Sequence, residues 1–201
     1  MNGTTIKKED NIKDLGVVVQ NHLSWDKHIQ TMVKKAFNVL WFLKRTLGKA
    51  VDSSVKNIFY CSLVKPHLEY GSIIWSVAAK TNLKLIEYVQ KRASKFITNN
   101  YVSDYKSRLI SCNILPLSYR REIIDVKFLY KQIHTNTLSV TLGKLQFGGR
   151  RGKLFINDPD VGLLLIQNVN FETFKYIYTN RIVPLWNNVT SEIRCLELVQ
   201  N

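Results

Sequence analysis

Acidic residues and cysteine are both scarce in this chain, and each scarcity rules something out. Only 15 residues are Asp or Glu, against 29 Lys or Arg in a chain of 201, a formal net charge of +14. The carboxylate pair Asp158 and Asp160 flanks Pro159 and has the composition of a turn rather than a catalytic set. Three cysteines, Cys61, Cys112 and Cys195, lie far apart. That excludes a disulfide framework and any zinc spacing, and points to buried thiols in a reducing compartment. No apolar run approaches the roughly 20 residues that cross a bilayer. Residues 1–11 lack the apolar stretch of a secretory signal. An intracellular location, nuclear or cytoplasmic, is expected. The loop Phe147-Gly148-Gly149-Arg150-Arg151-Gly152-Lys153 lacks the Gly-Lys-Ser/Thr of a nucleotide-binding loop. No internal repeat and no nucleophile elbow is present.

What remains is a basic, foldable chain. A hydrophobic fraction of 45% supports a sizeable core. The pI near 9.7 makes nucleic acid the first partner to consider and an anionic membrane surface the second.

One stretch organises the rest. Asp14 to Val19 reads as a strand that needs a partner, either Thr4 to Lys8 in a hairpin or strands upstream. Ser24 is placed to cap the following helix, with Asp26 at the positive end of its dipole. Apolar residues then recur at Ile29, Met32, Val33, Ala36, Phe37, Leu40, Leu43 and Leu47. That is helical spacing over about six turns. The opposite face carries Lys27, Lys34, Lys35 and Arg45.

A second helix is expected from Asp52 or Ser53, with Val55, Ile58, Phe59, Ser62 and Leu63 as its core face and Pro66 as its break. Pro66 to Trp75 reads as buried, with His67 a packing histidine and Gly71 allowing close helix approach. Thr81 is placed to cap a helix reaching Ile97, with Leu85, Ile86, Val89, Ala93, Phe96 and Ile97 as core. Its other face reads Lys84, Tyr88, Lys91, Arg92 and Lys95, with Lys84, Tyr88, Lys91 and Lys95 in one stripe, cations with an interleaved aromatic that suit a phosphate backbone and a base or sugar to stack on. A short helix spans Ser103 to Cys112. A longer one from Ser118 to His134 has Ile123, Val126, Tyr130 and Ile133 as core and Lys127 and Lys131 in a basic row. Beyond Thr135 the pattern weakens. Val161 to Val169 reads as a strand or buried segment, Phe171 to Tyr178 as helical, and 183–188 as a turn around a buried Trp186.

Several of these stretches, in this order, resemble one family. Lys13-Asp14-Leu15-Gly16-Val17 followed by His22-Leu23-Ser24-Trp25-Asp26-Lys27-His28-Ile29 is similar to the segment after the polymerase palm in reverse transcriptases of jockey-like non-LTR retrotransposons. Ser62 to Ser72 with Trp75, Ile86 to Ala93, and Leu117-Ser118-Tyr119-Arg120-Arg121 resemble later elements of the same proteins. Leu185-Trp186-Asn187 resembles their terminal motif, although Asn188-Val189-Thr190 departs from it. The resemblance implies that Leu15 and Gly16 stand where the primer grip would be and that the helix after Ser24 belongs to the thumb.

It also implies that the chain is a C-terminal piece lacking polymerase activity of its own. The family's paired catalytic carboxylates lie upstream, and nucleotidyl transfer needs two metals held by such a pair. No cofactor is therefore expected in this chain, the Mg belonging to the missing palm of the parent enzyme. The expected partners are that palm and RNA and DNA, as an RNA–DNA hybrid held by its backbone, with no membrane. The fold expected is mainly α. It has a palm-edge strand or hairpin over 1–23, a thumb-like helical bundle over 24–134, and a less regular α+β portion over 135–201. Two other readings stand beside it, a helical protein-interaction module or inactive relic, and a peripheral membrane binder.

Overall fold

A computed structural model describes residues 9–134 and 178–190. The chain divides into two compact units, residues 1–119 and 120–201. The architecture is mainly helical with a short N-terminal β-hairpin.

The hairpin pairs β1 (Asn11–Asp14) with β2 (Val17–Gln20), antiparallel, with Asp14 opposite Val17. The strand expected over 14–19 is thus split, and its partner is residues 11–14 rather than 4–8. The reason is local. Leu15 and Gly16 both take positive φ, 44° and 87°. Two such residues make the tight loop whose twist matches its flanking strands.

Helix α1 (Asp26–Leu47) follows. Its start is not capped by Ser24. Trp25 occupies the cap position without a side-chain bond. The Gln20 side-chain oxygen, at the end of the hairpin, accepts the Lys27 backbone N–H at 3.1 Å. The hairpin therefore satisfies one of the first orphan donors of the helix. Gly48 ends α1 with φ of 60°.

The next segment departs most from expectation. Helix α2 (Ser53–Phe59) is capped by Asp52, which accepts the Ser54 N–H at 3.0 Å. It runs into a π-helical turn, Tyr60–Val64, then α3 (Lys65–Glu69) and α4 (Ser72–Trp75). The residues turned inward are Lys56, Tyr60, Val64, Leu68 and Trp75, all wholly buried. Val55, Ile58, Phe59, Ser62 and Leu63, expected as core, face solvent, Ile58 being 66% exposed.

From Lys56 to Leu68 the inward set steps by four. In a regular α-helix each such step drifts about 40° around the axis. The wider π turn lies within this set and takes up drift, helping Tyr60, Val64 and Leu68 stay inward. It also carries the chain past Pro66, since the Lys65 N–H bonds to the Tyr60 carbonyl and the proline sits in the first turn of α3. Pro66 is tolerated there and breaks nothing. Buried Lys56 is satisfied by donating to the Lys49 carbonyl at 3.2 Å and to Asn99 Oδ1 at 3.3 Å, with its ammonium over the Phe96 ring.

Gly71 does not mediate helix approach. It takes φ of 66° between α3 and α4, and a Cβ there would stand 3.3 Å from Val17 Cγ2 of the hairpin. Tyr70 and Ile74 are exposed, as is His67, which is not a packing histidine.

Helix α5 (Lys80–Thr98) begins at Lys80 with Ala79 in the cap position and no side-chain cap, so Thr81 does not cap it. Of the residues expected inward all but Leu85, which is exposed, are buried, and Asn82, Gln90 and Ser94 join them. Gln90 is buried and fully used: Tyr60 donates to its Oε1 and its Nε2 donates to the Leu115 carbonyl, both at 2.9 Å. Asn99 ends the helix in the left-handed region. Asp104 caps α6 (Tyr105–Ser111), and α7 (Leu117–His134) crosses the boundary between units. The core of the first unit gathers Ile29, Ala36, Leu40, Tyr60, Leu68, Trp75, Ile86, Val89, Ile97 and Leu117, among others.

In the second unit, α8 (Tyr178–Asn187) is helical through Pro184, where a turn was expected. Ile182, Val183 and the buried Trp186 pack on Leu129 of α7. That burial outweighs the loss of one backbone donor. Arg181 grips Asp125 with two parallel bonds of 2.8 and 2.9 Å. Ile123, expected as core, is exposed, and Leu129 is buried instead. The expectations for 147–153, 158–160, 161–169 and Cys195 lie outside the described residues.

Candidate nucleic-acid interface

Helices α1 and α5 run side by side in the same direction. Asn82 donates to the Asp26 carboxylate near their starts. Phe37 and Tyr88 meet midway, ring centroids 6.1 Å apart and tilted by 59°. Lys44 and Arg92 face each other farther along. The amphipathic pattern explains the pairing. Ile29, Met32, Ala36, Leu40 and Leu43 bury one face of α1, and Ile86, Val89, Ala93, Phe96 and Ile97 bury one face of α5.

Along the outer edge of this pair lies a cleft of about 240 Å³ lined by Phe37, Trp41, Lys44, Tyr88 and Arg92. None of these is acidic. Trp41 is 55% exposed, with the Lys44 ammonium 5.0 Å from its ring centroid. Partial burial, and then the nearby Arg92 charge, push the Lys44 pKa below its ordinary value. Helical spacing extends the edge. Lys34 is one turn before Phe37 on α1, and Lys84, Lys91 and Lys95 flank Tyr88 and Arg92 on α5.

A second cavity, of about 270 Å³, lies between the hairpin tip, α1 and α3. Leu15, Gly16, His28, Lys35, His67 and Tyr70 are among its walls. Tyr70 donates to the Leu15 carbonyl at 2.7 Å, which pins the tip. His28 Nδ1 accepts the Val18 N–H at 3.3 Å, so its ring proton sits on Nε2, which has no hydrogen-bond partner among the described residues. Burial, and secondarily the Lys35 charge, lower the His28 pKa and keep the ring neutral.

The expected site residues therefore fall into three places. Leu15, Gly16 and Lys35 stand at the hairpin cavity. Lys34, Lys84, Tyr88, Lys91, Arg92 and Lys95 line the α1–α5 edge, with Arg92 and Lys95 half-buried and the others exposed. Lys27 is exposed in the first turn of α1, while Lys127 and Lys131 are exposed on α7 in the second unit. Sequence reasoning missed Trp41, Lys44 and His28. The available signal was Trp41 seven residues after Lys34 and four after Phe37, a large aromatic outside the apolar stripe. Among the described residues no three His, Cys, Asp or Glu come together as a metal cage. No helix among them is long and apolar enough to cross a membrane.

The chain is a distant homologue of the RNA-directed DNA polymerases of jockey-like mobile elements. It is 26% identical over 101 residues, 49% of its length, to the probable RNA-directed DNA polymerase from transposon BS of Drosophila melanogaster. It is 27% identical over 153 residues, 71% of its length, to the RNA-directed DNA polymerase from mobile element jockey of Drosophila funebris. The matches span 11% and 16% of those two proteins. No family model matches the chain, and no solved structure matches it.

Proposed function

We propose that this chain acts as the thumb-like C-terminal part of a retrotransposon RNA-directed DNA polymerase, holding template–primer nucleic acid by its phosphate backbone. The catalytic carboxylates and their Mg would belong to a palm outside this chain. The observation that carries the reading is the outer edge of α1 and α5, where exposed Lys34, Lys84 and Lys91 flank a cleft without an acidic wall. Point charges on long flexible stems position a backbone without reading bases. Distant homology to polymerases of mobile elements supports the same reading.

The test is binding of the chain to an RNA–DNA hybrid and to duplexes of unrelated sequence at low salt. Comparable affinity for all of them is expected, with loss on combined reversal of Lys34, Lys84 and Lys91 to Glu in a variant whose circular dichroism is unchanged. Absence of binding by the unaltered chain would overturn the reading. One observation favours a second reading, a protein-interaction module: Val55, Ile58, Phe59 and Leu63 present apolar surface outward.

A further inference from the structure

We infer that the cleft between α1 and α5 is a stacking site for an unpaired nucleobase, so that this surface takes duplexes carrying a single-stranded extension in preference to blunt ones. The inference rests on the nucleic-acid reading above and goes beyond it, because backbone contacts alone do not distinguish a paired from an unpaired end.

Three features argue for a base. The first is Trp41, more than half exposed on a helix whose other large apolar residues are mostly turned inward. An indole held outward offers a flat face that costs apolar exposure when empty. The second is that Trp41 shares the cleft wall with Phe37 and Tyr88, whose own rings meet at 6.1 Å, so the cleft is lined by three aromatic side chains rather than one. The third is charge. Lys44 and Arg92 face each other with no carboxylate in the wall, and like charges so placed favour an anion beside them.

A base on the aromatic faces, with its own phosphate beside the two cations, matches both halves of the cleft. Lys44 already lies over the Trp41 ring, so a cation is in place beside the stacking surface. Stacking of this kind tolerates any base, because every base has a π-face.

The experiment compares the full chain on a blunt RNA–DNA hybrid with the same hybrid bearing a five-nucleotide single-stranded overhang. The overhang should tighten binding by roughly five- to a hundredfold, the range for one stacked base. Trp41→Ala should remove that gain, costing the overhang hybrid several-fold more affinity than the blunt one, and Trp41→Phe should keep most of it. Equal affinity for both hybrids would overturn the inference and leave backbone binding standing. So would a Trp41→Ala loss that is the same on both. No binding to either hybrid would overturn the inference and the functional reading together.

Discussion

The α1–α5 pair and the segment from Ser53 to Trp75 are both helical and both bury a face, yet they obey different rules. In α1 and α5 the buried residues recur at the 3.6-residue period, and hydrophobicity alone picks out most of them. In the segment they recur every four residues from Lys56 to Leu68, and one of them is a lysine. The apolar residues that would have formed its regular core face solvent instead. The difference lies in the π turn at Tyr60–Val64, which shifts the phase of the helix. Hydrophobic pattern identifies the inward face only where the helical period is regular.

Mutation can break this comparison at several points. The largest effect is expected at Trp75, wholly buried in the irregular segment. Trp75→Ala should cost about 3 to 5 kcal/mol in urea denaturation, as much as a core truncation in α1. A loss under 1 kcal/mol would place this segment outside the core. Lys56→Ala should cost about 2 kcal/mol, because it takes the donor from Asn99 Oδ1, leaves the Lys49 carbonyl with only its bond from Asn99 Nδ2, and empties the space under Phe96. Lys56→Met, which retains the stem, should cost less. Gly71→Ala should cost about 1 to 2 kcal/mol, from its left-handed backbone and from the new Cβ against Val17.

A smaller effect is expected from pH. The His28 pKa lies below its ordinary 6.5 in the folded chain, chiefly through burial. The unfolded chain therefore takes up this proton first as pH falls. Stability is unaffected by this group above 6.5, declines below it, and levels off once the folded form also protonates. Comparing denaturation of the parent and His28→Gln across that window isolates the contribution, and identical pH profiles would refute it. The smallest effect is expected at Ile58, where Ile58→Ser should change stability by no more than about 0.5 kcal/mol. A large loss there would restore the regular period and undo the comparison.

How much could be read from the sequence follows the same division. The extents of α1, α5 and α7 and most of the α1 and α5 core followed from periodicity. The hairpin was only half visible, since Leu15-Gly16 is not a common turn pair and the run through Val19 looks like one strand. The helix starts at Trp25 and Ala79 were obscured because the first borrows its cap from Gln20 and the second has no side-chain cap. For the interface, the cationic stripe on α5 was legible from spacing alone. Trp41, Lys44 and Arg92 coming together was not, because it depends on which edge of α1 meets α5. Which of these cations share a surface is likewise a property of packing.

The most direct test of the account is the salt dependence of hybrid binding, compared between Lys84→Gln/Lys91→Gln and a control altered at two exposed cations elsewhere, Lys13→Gln/Lys106→Gln. If α1 and α5 track the backbone, the slope of log K against log salt should flatten by about 0.9 for each phosphate that the first variant no longer neutralises, and stay unchanged in the control. Equal flattening in both would mean that net charge alone drives binding, and would contradict the assignment of the interface to this edge.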